Sequence, residues 1–216
     1  MTVPGSKLRT SSRRVTVAKD VVLDGRLALF HRRLRWLVVA DLHFGYELSQ
    51  RAAGHLFPLW GMQTIATRLR ELLDDYGPTH LVLLGDLVHN KAGAVELAHL
   101  IEELRNQCEV VLIAGNHDRH LPKGGLVDSW QAGNFHFHHG HCKTNGAARV
   151  QIIGHHHPAF TFRDGAGLRL RLPAFVQTRK CWIMPAFSPW AAGAEWPNEE
   201  DVRIWACSPQ RVMRLG

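Results

Sequence analysis

Leu37-Val38-Val39-Ala40-Asp41-Leu42-His43 is an uninterrupted apolar run that ends abruptly in a carboxylate and an imidazole. Four apolar residues without polar alternation mark a strand covered on both faces, as in parallel sheets flanked by helices. The same grammar recurs downstream. Leu81-Val82-Leu83-Leu84-Gly85 runs into Asp86, and Val110-Val111-Leu112-Ile113-Ala114-Gly115 runs into Asn116-His117-Asp118. Between these runs Met62, Ile65, Ala66, Leu69, Leu72, Leu73 and Tyr76 recur at helical spacing, as do Ala94, Leu97, Ala98, Ile101 and Leu104. Gly77-Pro78 stops the first of these helices. Apolar strands alternating with amphipathic helices indicate an α/β sheet.

On the N-terminal side, Val15–Phe30 alternates apolar and polar residues around Asp24-Gly25, the signature of a hairpin. Residues 1–14, carrying Lys7, Arg9, Arg13 and Arg14, read as a flexible basic tail. On the C-terminal side, Phe135–His139, Val150–Ile153, Leu168–Leu172, Cys181–Met184, Val202–Ala206 and Arg211–Leu215 read as strands, so this half is mostly β. Neither an internal repeat nor a linker interrupts the pattern, and residues 15–216 are expected to form one domain.

The 216 residues are 45% hydrophobic and 21% charged, which excludes a disordered, collagen-like or coiled-coil chain. No apolar run reaches membrane-spanning length, and no apolar core follows the basic N-terminus, so a cytoplasmic protein without membrane partners is expected. Four widely spaced cysteines suggest ordinary reduced thiols. The net charge is +7, and 20 of the 26 basic residues are arginine, whose planar fork suits phosphate and so points to nucleic acid or another polyanion. Of the 15 histidines, nine fall between His117 and His157, a density that needs a chemical explanation.

That explanation lies at the strand ends. Phe135-His136-Phe137-His138 leads to His139-Gly140, and Val150-Gln151-Ile152-Ile153-Gly154 runs into His155-His156-His157. With the three earlier runs, five strands end in residues able to bind metal. In α/β folds the ligand site lies at the carboxyl ends of the strands, so these groups should meet in one place.

In this order, Asp41-Leu42-His43, Gly85-Asp86, Gly115-Asn116-His117-Asp118, His139-Gly140 and Gly154-His155-His156-His157 resemble the calcineurin-like metallophosphoesterases. The resemblance spans Val38 to Pro158. The segments ADLHFGYE (residues 40–47), GDLVHN (85–90), LPAF (172–175) and MPAF (184–187) are similar to a compact subgroup related to repair nucleases. That subgroup includes bacterial phosphoesterases associated with a DNA ligase and a helicase. The resemblance implies a four-layer α/β sandwich of two mixed β-sheets flanked by helices. It also implies two divalent transition-metal ions: Asp41, His43, Asp86 and His157 would hold one, and Asp86, Asn116, His139 and His155 the other. Mixed imidazole and oxygen donors favour manganese, iron, zinc or nickel over magnesium or calcium, and manganese is the expected metal, with iron, zinc or nickel as alternatives. By the same resemblance a metal-bridging hydroxide attacks the phosphorus, His117 protonates the leaving oxygen, and Asp118 orients His117 or raises its basicity.

Arg119, Arg51, His141 and His120 lie near these loops in sequence and are candidate substrate contacts. His31, His55, His80, His89 and His99 match no ligand position and read as surface or packing residues. His136 and His138 read as structural, and His156 as the variable residue between two ligands. Protein phosphatases of this superfamily carry G-D-x-x-D-R, whereas this chain has Gly85-Asp86-Leu87-Val88-His89-Asn90, which argues against that activity. The expected function is therefore a dinuclear phosphodiesterase acting on nucleic acid or nucleotides, with DNA ligase or helicase partners implied by resemblance. The alternatives are a phosphomonoesterase or small-nucleotide hydrolase, and a non-catalytic scaffold.

Overall fold

Strands without polar alternation can exist only where both sheet faces are covered, and the first half of the chain supplies both covers. In the computed structural model, which describes residues 12–122, 124–142, 150–197 and 199–215, β1 (Arg14–Ala18), β2 (Val21–Asp24) and β3 (Ala28–His31) form an antiparallel meander. β3 pairs antiparallel with β4 (Trp36–Ala40). After α1 (Tyr46–Ala52) and α2 (Gly61–Tyr76), β5 (His80–Leu84) lies parallel to β4, and after α3 (Ala94–Arg105), β6 (Glu109–Ile113) and β7 (Leu126–Val127) extend the sheet in chain order.

The Asp24-Gly25 turn joins β2 and β3, but a second reversal at Lys19-Asp20, with Asp20 at φ 62, makes three strands of the expected hairpin. Of the expected tail, residues 1–11 lie outside the described residues. Residues 12–14 are tied to the fold: β1 begins at Arg14, Ser12 makes an isolated bridge to Val212, and Arg13 and Arg14 reach the Asp75 carboxylate at 3.1 and 2.6 Å.

Helix α2 buries Ile65, Ala66, Leu69, Leu72 and Leu73 and ends at Gly77 in the left-handed region (φ 49), as its spacing predicted. No side chain at its own N-cap satisfies the first turn. Instead Glu47 of α1, fully buried, accepts from the Met62 amide at 2.6 Å.

The second sheet runs β14–β11–β12–β13–β10–β9–β8, built from β8 (Ser129–Ala132), β9 (Phe135–His138), β10 (Val150–Ile153), β11 (Pro158–Arg163), β12 (Arg169–Gln177), β13 (Cys181–Ile183) and β14 (Ala194–Glu195). β15 (Arg203–Ser208) pairs with β12 and β16 (Arg211–Leu215). β12 runs five residues past the expected Leu172. Pro173, opposite Ala159, marks the point where its partner changes from β11 to β13 and β15, a place where a missing N–H is tolerated. The described helices are few, and all three α-helices precede residue 106.

The core lies between the two sheets. Trp36 of β4 meets Phe135 and Phe137 of β9 edge-on at 5.2 and 5.1 Å, and buried rings of this kind contribute roughly 3–5 kcal/mol each. At one edge the sheets are stitched directly. The Phe187 and Ser188 amides donate to the carbonyls of Ala40 and Asp41 at 2.7 and 3.1 Å. The parallel strands β4, β5, β6, β9 and β10 all end at this edge. Ala40, Leu84 and Ile113 are in register, which fixes the height at which the following loops begin. Among the described residues no helix is long and apolar enough to cross a membrane.

Candidate functional site

The loops leaving these strand ends are tightly constrained. A Cβ on Gly85 would collide with the His139 ring, and one on Gly115 would collide with Asp86. This is the physical content of a small residue before each polar one. The backbone is also strained where the chemistry is. Among non-glycine residues with positive φ, Asp41 (55), His43 (44), Asp86 (44), His155 (69) and His157 (45) are all candidate ligands. Such conformations cost roughly 1–3 kcal/mol each and persist where the surroundings over-determine them, typically at functional sites.

The ligand atoms of Asp41, His43, Asp86 and His157 lie within 4.8 Å of one another. So do those of Asp86, His139 and His155, and Asn116 Oδ1 sits 3.1 Å from His139 Nε2. The two groups share the Asp86 carboxylate. Its Oδ1 accepts the His117 amide at 2.9 Å, while its Oδ2 faces His139 Nε2 at 3.4 Å and His43 Nε2 at 3.9 Å. Both oxygens of Asp41 accept the His155 amide, at 3.0 and 3.1 Å, and Oδ1 lies 3.5 Å from His157 Nε2.

These residues fit a metal pair. His139 Nδ1 faces the Leu84 carbonyl oxygen at 3.3 Å, and a carbonyl only accepts, so Nδ1 carries a proton. In the neutral ring, Nε2 then points its lone pair at Asn116 Oδ1 and Asp86 Oδ2, two further acceptors. His43 Nε2 and His157 Nε2 likewise face each other at 3.4 Å. Convergent lone pairs with too few protons between them are what cations satisfy. A ligating histidine with its second nitrogen held by a carbonyl is the usual supporting arrangement.

Burial pushes His43 down to about 4, against the pull of Asp41 and Asp86, so its ring is neutral. Without an ion between them, burial works to raise the Asp86 carboxyl, but a protonated His139, itself raised by Asp86 and Asp41 against burial, and the His117 amide hold it well below the usual carboxylate range. Asp86 is therefore an anion.

His117 is exposed at the mouth of the cluster, its ring 5.3 Å from that of His43 and nearly parallel to that of His89 at 5.9 Å. The expected role of Asp118 needs correction. Its Oδ1 accepts the amides of Leu87 and Val88 at 2.8 and 3.2 Å, and its Oδ2 accepts that of Gly115 at 2.8 Å. These amides occupy the buried carboxylate, which ties the Asp86 loop to the Asn116 loop and does not orient the His117 ring.

His141 lies beside the ligand rings, 5.2 Å from His139 and 6.3 Å from His155. Burial pushes it down, His139 adds to the effect, and the charge of Arg119 reaches it as well. Arg119 and His120 are exposed in the loop after His117. Arg51 is exposed in the last turn of α1, and its guanidinium makes no hydrogen bond or ion pair among the described residues.

His89 is the residue that sequence reasoning missed. Its ring nitrogen groups with those of His43 and His117 within 4.8 Å, so it borders the site and is not a packing residue. The available signal was its place three residues after Asp86, where the phosphatase pattern has its second acid.

A comparison with curated protein sequences returned no match. The crystal structure of the Pseudomonas putida nuclease MPE superposes with a TM-score of 0.76 at 26% identity, covering 94% of this chain and 100% of that one. Yfce, a phosphoesterase from E. coli, aligns more loosely, with a TM-score of 0.42 at 17% identity over 78% of this chain and 86% of its own. The family model for calcineurin-like phosphoesterases matches residues 34–169, the stretch that carries every candidate ligand, and this chain belongs to that family.

Proposed function

We propose that the protein is a dinuclear metal-dependent phosphodiesterase acting on nucleic-acid or nucleotide diesters. The observation that carries this reading is the Asp86 carboxylate shared by two donor groups, with an exposed imidazole, His117, beside them. Asp41, His43, Asp86 and His157 would hold one ion, and Asp86, Asn116, His139 and His155 the other. Such a pair, with manganese the first candidate, would supply Lewis-acid clamping of phosphoryl oxygens and a nucleophile at neutral pH.

The chain's own residues do the rest. The His117 amide holds Asp86 Oδ1, which leaves Oδ2 directed at the cluster. The His117 imidazole delivers a proton to the leaving oxygen, a task suited to a group whose ordinary pKa is about 6.5. Asp118 keeps the His117 loop at a fixed distance from the Asp86 loop. His141, beside His139, and Arg119, whose charge reaches His141, would contact the phosphate. A diester is favoured over a monoester because His89 and Asn90 replace the acid and arginine that assist monoester binding in the phosphatase pattern. The nuclease with which the chain superposes supports a polynucleotide substrate, as does the arginine-rich charge of +7.

The test is a metal screen with an aryl phosphodiester and the matching monoester, followed by oligonucleotides at several salt concentrations. The expected result is preference for the diester and oligonucleotide binding that weakens steeply from about 50 to 200 mM salt. Monoester preference without salt-sensitive binding would favour the small-nucleotide reading.

A further inference from the structure

The proposed reaction leaves a run of rings unused. Beyond His117 and His89, Tyr46 meets His89 edge-on at 4.7 Å and lies 5.5 Å from Phe57 and 6.2 Å from Trp190. Trp190 is 4.6 Å from Phe57 and 4.2 Å from Trp60. The run is thus continuous from the candidate site to Trp60, whose side chain rests on Trp190 yet is 47% exposed.

This wall is built. Glu47, with no exposed surface, accepts the Trp190 indole N–H at 3.1 Å and the Met62 amide at 2.6 Å, so one buried carboxylate sets both the indole and the start of α2. Gly61 leaves the room that the indole needs, since a Cβ there would collide with Trp190. A buried carboxylate is costly unless its oxygens are hydrogen-bonded, and each oxygen of Glu47 accepts one of these N–H groups. Beyond Trp60 lies a groove of about 630 Å³ lined by Thr64, Thr67, Arg13, Arg26 and Arg68, three guanidinium groups against the single carboxylate of Glu71, and within the size range of small-ligand sites.

Rings leading from a phosphoryl site to an arginine- and hydroxyl-lined groove match the chemistry of an unpaired polynucleotide. Its bases offer π-faces to stack, and its phosphates suit guanidinium and hydroxyl groups. A paired duplex hides those faces, and an acidic peptide would use the arginines but not the rings. We propose that Phe57, Trp60 and Trp190 form a stacking subsite for unpaired bases of the substrate strand, next to the scissile phosphate. This inference rests on the phosphodiesterase reading for its substrate.

The experiment compares wild type, Trp60→Ala and Trp60→Phe. Fluorescence anisotropy, with and without manganese, follows labelled oligothymidylate and an abasic strand of equal length, and kcat/KM is measured for the oligonucleotide and an aryl diester. Trp60→Ala should weaken oligothymidylate binding about tenfold or more, Trp60→Phe should restore most of it, and the abasic strand should barely register the change. The ratio of oligonucleotide to aryl-diester kcat/KM should fall by a similar factor. Equal affinities for wild type and Trp60→Ala would overturn the proposal. So would equal losses on the abasic strand, or an effect confined to the oligomeric state, which would make the loop a protein contact. Absence of aryl-diester hydrolysis with every metal would overturn the phosphodiesterase reading instead, because the binding comparison does not depend on turnover.

Discussion

Asp24, at the end of β2, and Asp86, in the loop after β5, are both buried carboxylates, 1% and 2% exposed, yet their surroundings are opposite in kind. Asp24 meets donors on every side: the Arg26 amide and guanidinium at 2.9–3.0 Å, the Tyr76 hydroxyl at 2.8 Å and Arg14 at 3.3 Å. Asp86 meets one amide and otherwise faces imidazole nitrogens. The first is a closed arrangement in which each lone pair has a proton. The second is short of positive charge, and its neighbours include further acceptors. Burial alone therefore does not separate a structural carboxylate from a functional one. The balance of donors and acceptors around it does.

The comparison can be broken most severely at Asp86. Asp86→Asn should lower phosphodiester turnover by roughly three orders of magnitude or more, because one carboxylate serves both donor groups. Elemental analysis should find fewer than two ions per chain while circular dichroism stays native-like. Retained turnover at wild-type metal content would remove the shared-ligand reading.

His117→Ala should cost roughly two to four orders of magnitude in kcat for an alkyl or nucleoside leaving group, and less for an aryl one. Steady-state kinetics on both substrates would decide this. Equal losses would assign His117 to positioning.

At the closed cluster the effect should fall on stability and leave chemistry alone. Asp24→Ala leaves Arg26 paired only with Asp75 and more distantly with Glu71, and should destabilise by about 3 kcal/mol in urea unfolding. The aryl-diester kcat of the folded variant should match wild type. A comparable loss of kcat would show that the two clusters are coupled.

Metal should distinguish the clusters from the other direction. Manganese at about 100 times its Kd should stabilise the wild type by roughly 2.7 kcal/mol in thermal unfolding, and Asp86→Asn by much less. Asp24→Ala should keep the full increment.

The smallest effect is the acid limb of stability. Burial works to raise Asp24, but hydrogen bonds and charge from Arg26 outweigh it and leave its carboxyl below the ordinary value. A carboxyl depressed in the folded state binds its proton less readily than in the unfolded chain. Its contribution is therefore full above about pH 4 and is lost as pH falls through the lower, folded value. Denaturant midpoints of wild type and Asp24→Ala should converge on acidification, and a constant gap would contradict this.

The sequence read most clearly where local pattern and tertiary demand coincide. β4, β5 and β6 are uninterrupted apolar runs because both faces are covered, and α2 and α3 appeared within a residue of their ends because apolar spacing and Gly77 leave little choice. It read less clearly where partners change along one strand. β12 passes through Pro173 while exchanging β11 for β13 and β15, and the reversal at Asp20 depends on one residue accepting a left-handed backbone. Neither leaves a periodic trace.

The amino-acid order alone determined the family resemblance, the strand-end positions of Asp41, Asp86, Asn116, His139, His155 and His157, and the helices between them. Each is a local matter of apolar period followed by a polar residue, so each is written in consecutive residues. Tertiary structure alone decided that Asp118 ties two loops together, that His89 borders His117, and that Trp60 and Trp190 meet across the fold. These assignments depend on which hydrogen-bond donors and ring faces lie within about 6 Å after the two sheets close, and residues separated by up to 130 positions carry no local mark of that proximity.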